Sequence, residues 1–211
     1  MGKILKGILG PFAGTVGTVV GGRWKGIDYM RSKPIPSKSN TDKQKAQRAK
    51  FSLVSRFLTV MKELIKTSFR DVTGKMTPRN SALGYMLDHA VTGDYPNIAI
   101  DYSHVLVTQG SLHNVEIVAA NSTAPGKIRF QWTNNSGDGN AKATDATILV
   151  AYCPEKNRCI FNKGAGIREQ GVAELETLPF SGKTVQTWIA FVTEDGKDVA
   201  SSVYTGELLV L

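Results

Sequence analysis

The sequence is poor in the residues that build metal, redox and nucleophilic sites. Its 211 residues include two cysteines and three histidines. Two thiols exclude a disulfide framework and a cysteine-rich zinc site. His89, His104 and His113 share no ligand spacing with one another or with Cys153 and Cys159. The loop carrying Asn135, Asp138, Asn140 and Asp145 lacks the spacing and terminal glutamate of a calcium loop. No metal or cofactor is therefore expected. A GxSxG elbow is missing too. Asp88-His89 with Asp94 is the one acid/base grouping worth testing, and a helix-end salt link explains it equally well. These absences point away from an enzyme.

Long apolar runs are also missing. Ile8 to Gly22 gives fifteen residues with five glycines, short of the roughly 20 apolar residues of a membrane helix. Lys3 and Lys6 precede this run as in an export signal, but it has no small-x-small cleavage site and continues into Arg23-Trp24-Lys25-Gly26. Synthesis in the cytoplasm is the expectation, with the final location open. Gly17 to Gly22 has phosphate-loop spacing, yet Arg23-Trp24 stands where Lys-Ser/Thr is required. The last scarcity is of acid in the first part of the chain. Residues 1–80 hold 17 Lys+Arg and 4 Asp+Glu, whereas residues 81–211 hold 9 and 14. Such asymmetry fits a polyanion held by the first part, or complementary contact between neighbouring molecules.

What is present begins with glycine. Gly10, Gly14, Gly17, Gly21, Gly22 and Gly26 recur among Val, Thr and aromatic residues, a pattern of strands with special backbone needs. We read residues 1–40 as a β-ribbon folded at a Gly21-Gly22 hairpin, ending in a stiff connector at Pro34, Pro36, Ser37, Ser39 and Asn40. From Thr41, apolar residues at 53, 54, 57, 58, 61, 64, 65 and 69 fall on one helical face. Thr41 and Gln44 have capping-box spacing. Lys66, Arg70 and Gly74 suit the end of that helix. Lys43, Lys45, Arg48 and Lys50 instead crowd its first turns, against the helix dipole. Thr77-Pro78 starts a second helix running to residue 91, so residues 41–93 form a basic two-helix segment.

Residues 97–211 have the cadence of an antiparallel β-sandwich. Strands are expected at 98–108, 112–119, 126–133, 146–153, 158–163, 171–177, 184–193 and 199–209, with Asp195-Gly196 turning the last hairpin. Trp132 is placed to fill the space between two sheets, which gives this half an immunoglobulin or fibronectin type III look. The fold class is thus α+β: a glycine-rich ribbon, a helical hairpin and an Ig-like sandwich. Cys153 and Cys159 flank a turn, a spacing that admits a cross-strand disulfide; in the cytosol both thiols stay reduced.

Arg23, Trp24, Lys25, Tyr29, Arg31 and Lys33, followed by Lys43, Lys45, Arg48 and Lys50, mix cations with aromatics. That composition suits either a protein partner or the phosphates and bases of a nucleic acid. No recognised nucleic-acid module accompanies it. Carbohydrate binding would require Trp188 or a tyrosine exposed beside a groove.

Gly14-x-x-Gly17-x-Val19-Val20, Trp24-Lys25-Gly26, Arg31-x-x-Pro34 and Thr41-x-x-Gln44-x-x-x-Arg48-x-x-Phe51 together resemble an uncharacterised family of Bacteroidota proteins. Arg129-x-x-Trp132, Asp145, Arg168 and the stretch Gly182 to Tyr204, with Ser201, Ser202 and Gly206, extend the resemblance along the chain. A shorter form of the N-terminal pattern is similar to proteins of phage and prophage regions. The resemblance implies no activity. The reading is a non-enzymatic interaction or assembly protein of phage-accessory type that self-associates or meets a protein partner through its ribbon. The alternative is a nucleic-acid-associated protein using the basic first 80 residues.

Overall fold

A computed structural model describes residues 2–4, 10–35, 41–69, 76–116 and 118–211. The chain divides into two compact units, Met1–Thr41 and Asp42–Leu211. Pro36, Ser37, Ser39 and Asn40 of the connector, and Arg70 and Gly74 at the expected helix end, lie outside the described residues.

The first unit is an antiparallel sheet of β1 (Lys3–Ile4), β2 (Phe12–Val16), β3 (Val19–Trp24) and β4 (Ile27–Ser32), in that spatial order. Its turns are not where the Gly-Gly pair suggested. Val16 pairs with Val19 and Trp24 with Ile27, so the chain reverses at Gly17-Thr18 and at Lys25-Gly26. Lys25 and Gly26 both have positive φ, the requirement of the tight turn that matches strand twist. Gly21 and Gly22 lie inside β3 for a different reason, close approach. A Cβ on Gly21 would stand 2.1 Å from the Phe12 carbonyl oxygen, and one on Gly22 would stand 2.9 Å from the Tyr29 ring.

The second unit opens with α1 (Asp42–Val60) and α2 (Lys62–Ser68), which break at Met61 where one continuous helix was expected, and α3 (Pro78–His89). Thr77 caps α3 as its sequence predicts, its hydroxyl accepting from the Asn80 N–H at 3.3 Å. Then come β5 (Val91–Thr92), β6 (Ala99–Ile100), β7 (Val118–Ala124), β8 (Lys127–Trp132), β9 (Ala146–Cys153), β10 (Arg158–Ile167), β11 (Val172–Glu176), β12 (Thr184–Val192) and β13 (Val203–Leu209). The two strands expected over 98–108 and 112–119 are mostly irregular. The first is interrupted after Ile100 by a 3-10 turn at Tyr102–His104, and β7 begins only at Val118.

Beside the short β5-β6 pair, two larger antiparallel sheets result among the described residues, β10-β9-β12-β13 and β11-β8-β7. Between them lies a core containing Phe130, Trp132, Leu149, Ala151, Val185, Ile189 and Phe191. Successive strand residues face opposite ways, and the other face of the first sheet is also covered. Ile148, Val150, Tyr152, Trp188 and Ala190 share a second core with Val54, Phe57, Leu58, Leu64 and Met86 of the helices. The segment 41–93 is therefore no separate hairpin but the outer layer of the same body. This explains why β9, buried at seven of its eight positions, reads as a near-continuous apolar run.

Candidate functional site

Strand register sorts the ribbon's side chains. Directly paired residues of an antiparallel sheet share a face, and β3 pairs with β4 as Trp24–Ile27, Gly22–Tyr29 and Val20–Arg31. One face thus carries Trp24, Ile27, Tyr29 and Arg31. The other carries Val16, Val19, Met30 and the pair Arg23–Asp28, whose charged atoms stand 3.7 Å apart in an exposed setting. Trp24 is 59% exposed, Met30 71%. All six residues of β4 are exposed, and among residues of this unit whose exposure is described only Gly21 is buried.

The ten basic and aromatic residues picked from the sequence divide between the two units. Arg23, Trp24, Lys25, Tyr29, Arg31 and Lys33 belong to the ribbon, where all are exposed. Lys43, Lys45, Arg48 and Lys50 lie on α1 of the second unit, with Lys43 and Arg48 exposed and Lys45 bonded to Asp42 at 2.9 Å. Ile27 and Met30, the apolar neighbours that complete the ribbon's two faces, were missed in the site assignment. Their signal was the uninterrupted strand pattern Ile-Asp-Tyr-Met-Arg-Ser.

The second unit contains two polar clusters. At the 3-10 turn, the Ser103 hydroxyl donates to Asp101 Oδ1 at 2.5 Å and His104 Nδ1 lies 2.8 Å from Asp101 Oδ2. Ser103 followed by His104 holds the Asp101 carboxyl below its usual range. The hydroxyl is spent on the carboxylate, while a nucleophilic triad needs it to donate to the imidazole. The cluster is a cap for the turn, where Asp101 also accepts the Ser103 N–H.

The other cluster surrounds Arg168, which is fully buried. Its Nε meets Asp145 Oδ2 at 3.1 Å, and its terminal nitrogens donate to Asn135 Oδ1 at 2.7 Å and to the His113 carbonyl at 2.8 Å. Its guanidinium stacks 4.1 Å above Phe191. Burial lowers the Arg168 pKa while Asp145 opposes that shift. These contacts tie three loops to the end of the sandwich, and Trp132 Nε1 joins them by donating to the Arg168 carbonyl at 2.9 Å.

The remaining expected groups stay apart. Asp88 and Asp94 are exposed, and His89 stacks on Tyr85 and donates Nδ1–H to that residue's carbonyl at 2.9 Å. Cys153 and Cys159 are free thiols. Cys159 pairs with Tyr152, so the two thiols point to opposite faces of the sheet and the expected cross-strand disulfide does not form. Trp188 is fully buried, which removes the one tryptophan a sugar groove would have used. Among the described residues no group of His, Cys, Asp and Glu is placed to hold a metal ion, and no helix is long and apolar enough to cross a membrane.

No curated protein matches the chain. One similar solved structure is the fibronectin type III domain of the human collagen alpha-1(XX) chain, at 10% identity and a TM-score of 0.35, covering 46% of this chain and 84% of that one. A family model matches residues 11–206, nearly the whole chain, and by that match the protein belongs to the family of unknown function DUF6266.

Proposed function

We propose that the protein is a non-enzymatic interaction or assembly subunit, of the accessory type found in phage and prophage regions, whose N-terminal ribbon is its contact element. The observation that carries this reading is a four-stranded sheet in which Gly21 is the single buried residue among those whose exposure is described. A small sheet needs a covered apolar face to be stable. Here Val16, Val19, Trp24, Ile27, Tyr29 and Met30 remain exposed, divided between both faces. Exposed apolar groups concentrated in this way mark contact surfaces. The topology of the second unit supports reading it as a fibronectin-III-like sandwich. β7-β8-β11 form a three-stranded sheet and β10-β9-β12-β13 a four-stranded one, an order that requires Greek-key crossovers between the sheets.

Hydrogen exchange on the dilute full chain tests the reading. Ribbon amides are expected to exchange much faster than those of β9, because their own four-stranded sheet buries only Gly21 among the residues whose exposure is described. Equal protection of both in a dilute monomer would overturn the contact role.

A second reading, nucleic-acid binding, is favoured by one observation: Trp24, Tyr29 and Arg31 share a sheet face, where rings stack on bases and the cation meets phosphate. It predicts retention on single-stranded nucleic acid that falls steeply with salt and weakens on neutralising Arg31 and Lys33, or Lys43, Lys45, Arg48 and Lys50. Retention indifferent to both changes would remove it.

A further inference from the structure

We propose that the partner of the ribbon is a second copy of the chain, joined edge to edge through β4 with Met30 on the two-fold axis. This rests on the contact role of the ribbon and specifies its occupant.

Among the described residues β4 is a terminal strand of its sheet, paired only with β3. The phase of its hydrogen bonds follows from one contact, the Lys33 N–H donating to the Thr18 carbonyl at 2.7 Å. In an antiparallel pair, hydrogen-bonded positions alternate with non-bonded ones. Arg31, Tyr29 and Ile27 therefore bond toward β3, whereas Asp28, Met30 and Ser32 turn their N–H and C=O groups to the free edge. An edge of this length with no bulge or proline between Ile27 and Ser32 is a template for another strand.

A two-fold axis perpendicular to the sheet pairs only residues that share a face, which limits the registers. Centred on Met30, the pairing sets Asp28 opposite Ser32 of the second copy, Tyr29 opposite Arg31, and Ile27 opposite Lys33. Every outward backbone group finds a partner, no like charges meet, and each guanidinium lies on a tyrosine ring. Met30, at 71% the most exposed residue of β4 among its large hydrophobics, then meets its own copy. Centred on Tyr29 instead, the pairing leaves Ser32 without a partner and sets Asp28 against Met30. Charge and backbone complementarity both select the first register.

The same geometry fixes the salt response. The first unit has seven Lys+Arg against Asp28 alone, so two ribbons repel at long range. Salt screens that repulsion beyond a Debye length of about 10 Å at 0.1 M. Dimerisation should strengthen as salt rises, the reverse of polyanion binding.

Light scattering of the full chain over a range of concentrations, at low and high salt, should show a monomer–dimer equilibrium shifted toward dimer by salt. Met30→Pro removes an outward N–H while leaving the β3–β4 bonds intact, and should weaken the dimer at least tenfold. Met30→Cys should form an intermolecular disulfide under mild oxidation, since facing positions of a bonded pair lie about 5.5 Å apart. Val19→Cys, on the same face but one strand from the edge, should not. A chain that stays monomeric at every concentration and salt, with Met30→Cys cross-linking no faster than Val19→Cys, overturns the proposal. If ribbon amides still exchange rapidly in that monomer, the contact role survives with another occupant; if they are as protected as β9, both readings fall.

Discussion

β9 and β4 are both antiparallel strands of one chain, yet seven of eight residues are buried in the first and none in the second. β9 sits in the middle layer of a three-layer body, with helices on one face and a second sheet on the other. Burying a large aliphatic side chain contributes about 1.5–3 kcal/mol, and β9 collects that contribution on both faces. β4 collects none within its own sheet. The contrast is what motivates the proposal that the ribbon is completed by a partner.

The largest effect that sharpens the contrast is expected at Arg168. Removing one partner of a buried ion pair leaves the other charge uncompensated and costs about 3–5 kcal/mol. Arg168→Ala should lower the stability of the second unit by that amount in denaturant unfolding, because Asn135 Oδ1 and the His113 carbonyl lose the guanidinium and the buried Asp145 carboxylate loses its counter-charge, keeping the Lys142 N–H. Exchange rates in the ribbon should not change. A coupled loss of both units would show that they form one cooperative body.

Alkaline pH offers the next test of the same body. Burial pushes the Cys159 thiol up to about 12 from 9.0, and burial followed by Tyr102 pushes the Tyr152 phenol up to about 12 from 10.0. Both folded pKa values lie above the unfolded ones, so their contribution to stability is complete below pH 9 and is lost as pH rises toward 12. Each group gives a slope of up to about 1.4 kcal/mol per pH unit in that window. Melting temperature measured from pH 8 to about pH 11 should fall, and Cys159→Ala should flatten the onset. A flat profile in the parent protein would mean that these groups are solvated.

Much of the body was legible because burial imposes a period. Ile128, Phe130 and Trp132 alternate in sequence and all three are buried in β8. The Asp195-Gly196 turn follows from glycine's tolerance of positive φ, and Gly196 has φ of +68°. The ribbon was legible as strands but not in its folding points. A Gly-Gly pair signals a turn when glycine is needed for its φ, whereas Gly21 and Gly22 serve by lacking a Cβ beneath Phe12 and Tyr29. Local sequence does not distinguish these uses, since the ring that covers each glycine comes from another strand. The helical layer was legible as helices, but its packing on β9 and β12 was not, because a helical stripe shows that it needs a cover without naming it. Arg168 stood out only as one residue of a family resemblance; its burial depends on contacts to residues 33 and 55 positions away in sequence.

Smaller changes probe each side of the comparison. Thr77→Ala removes the hydroxyl that accepts from Asn80 and should cost the second unit about 1 kcal/mol. Thr77→Ser should restore most of it, and failure to do so would assign the loss to the methyl group rather than the cap.

The smallest stability effect is expected where the contact role is assigned. Trp24 and Ile27 are 59% and 55% exposed and face the same way on the ribbon. Replacing both with serine removes apolar surface that no residue of their own sheet buries, and substitutions at such positions change stability by about 0.5 kcal/mol or less. The second unit should therefore melt at an unchanged temperature, while any self-association or capture that depends on the ribbon is lost. Were the pair to lower the second unit's stability by more than about 1 kcal/mol, a value typical of partly buried sites, these side chains would be packing against their own body in solution. The distinction between a finished body and an incomplete ribbon would then fail at its most exposed point, and with it the reason for assigning the ribbon a partner.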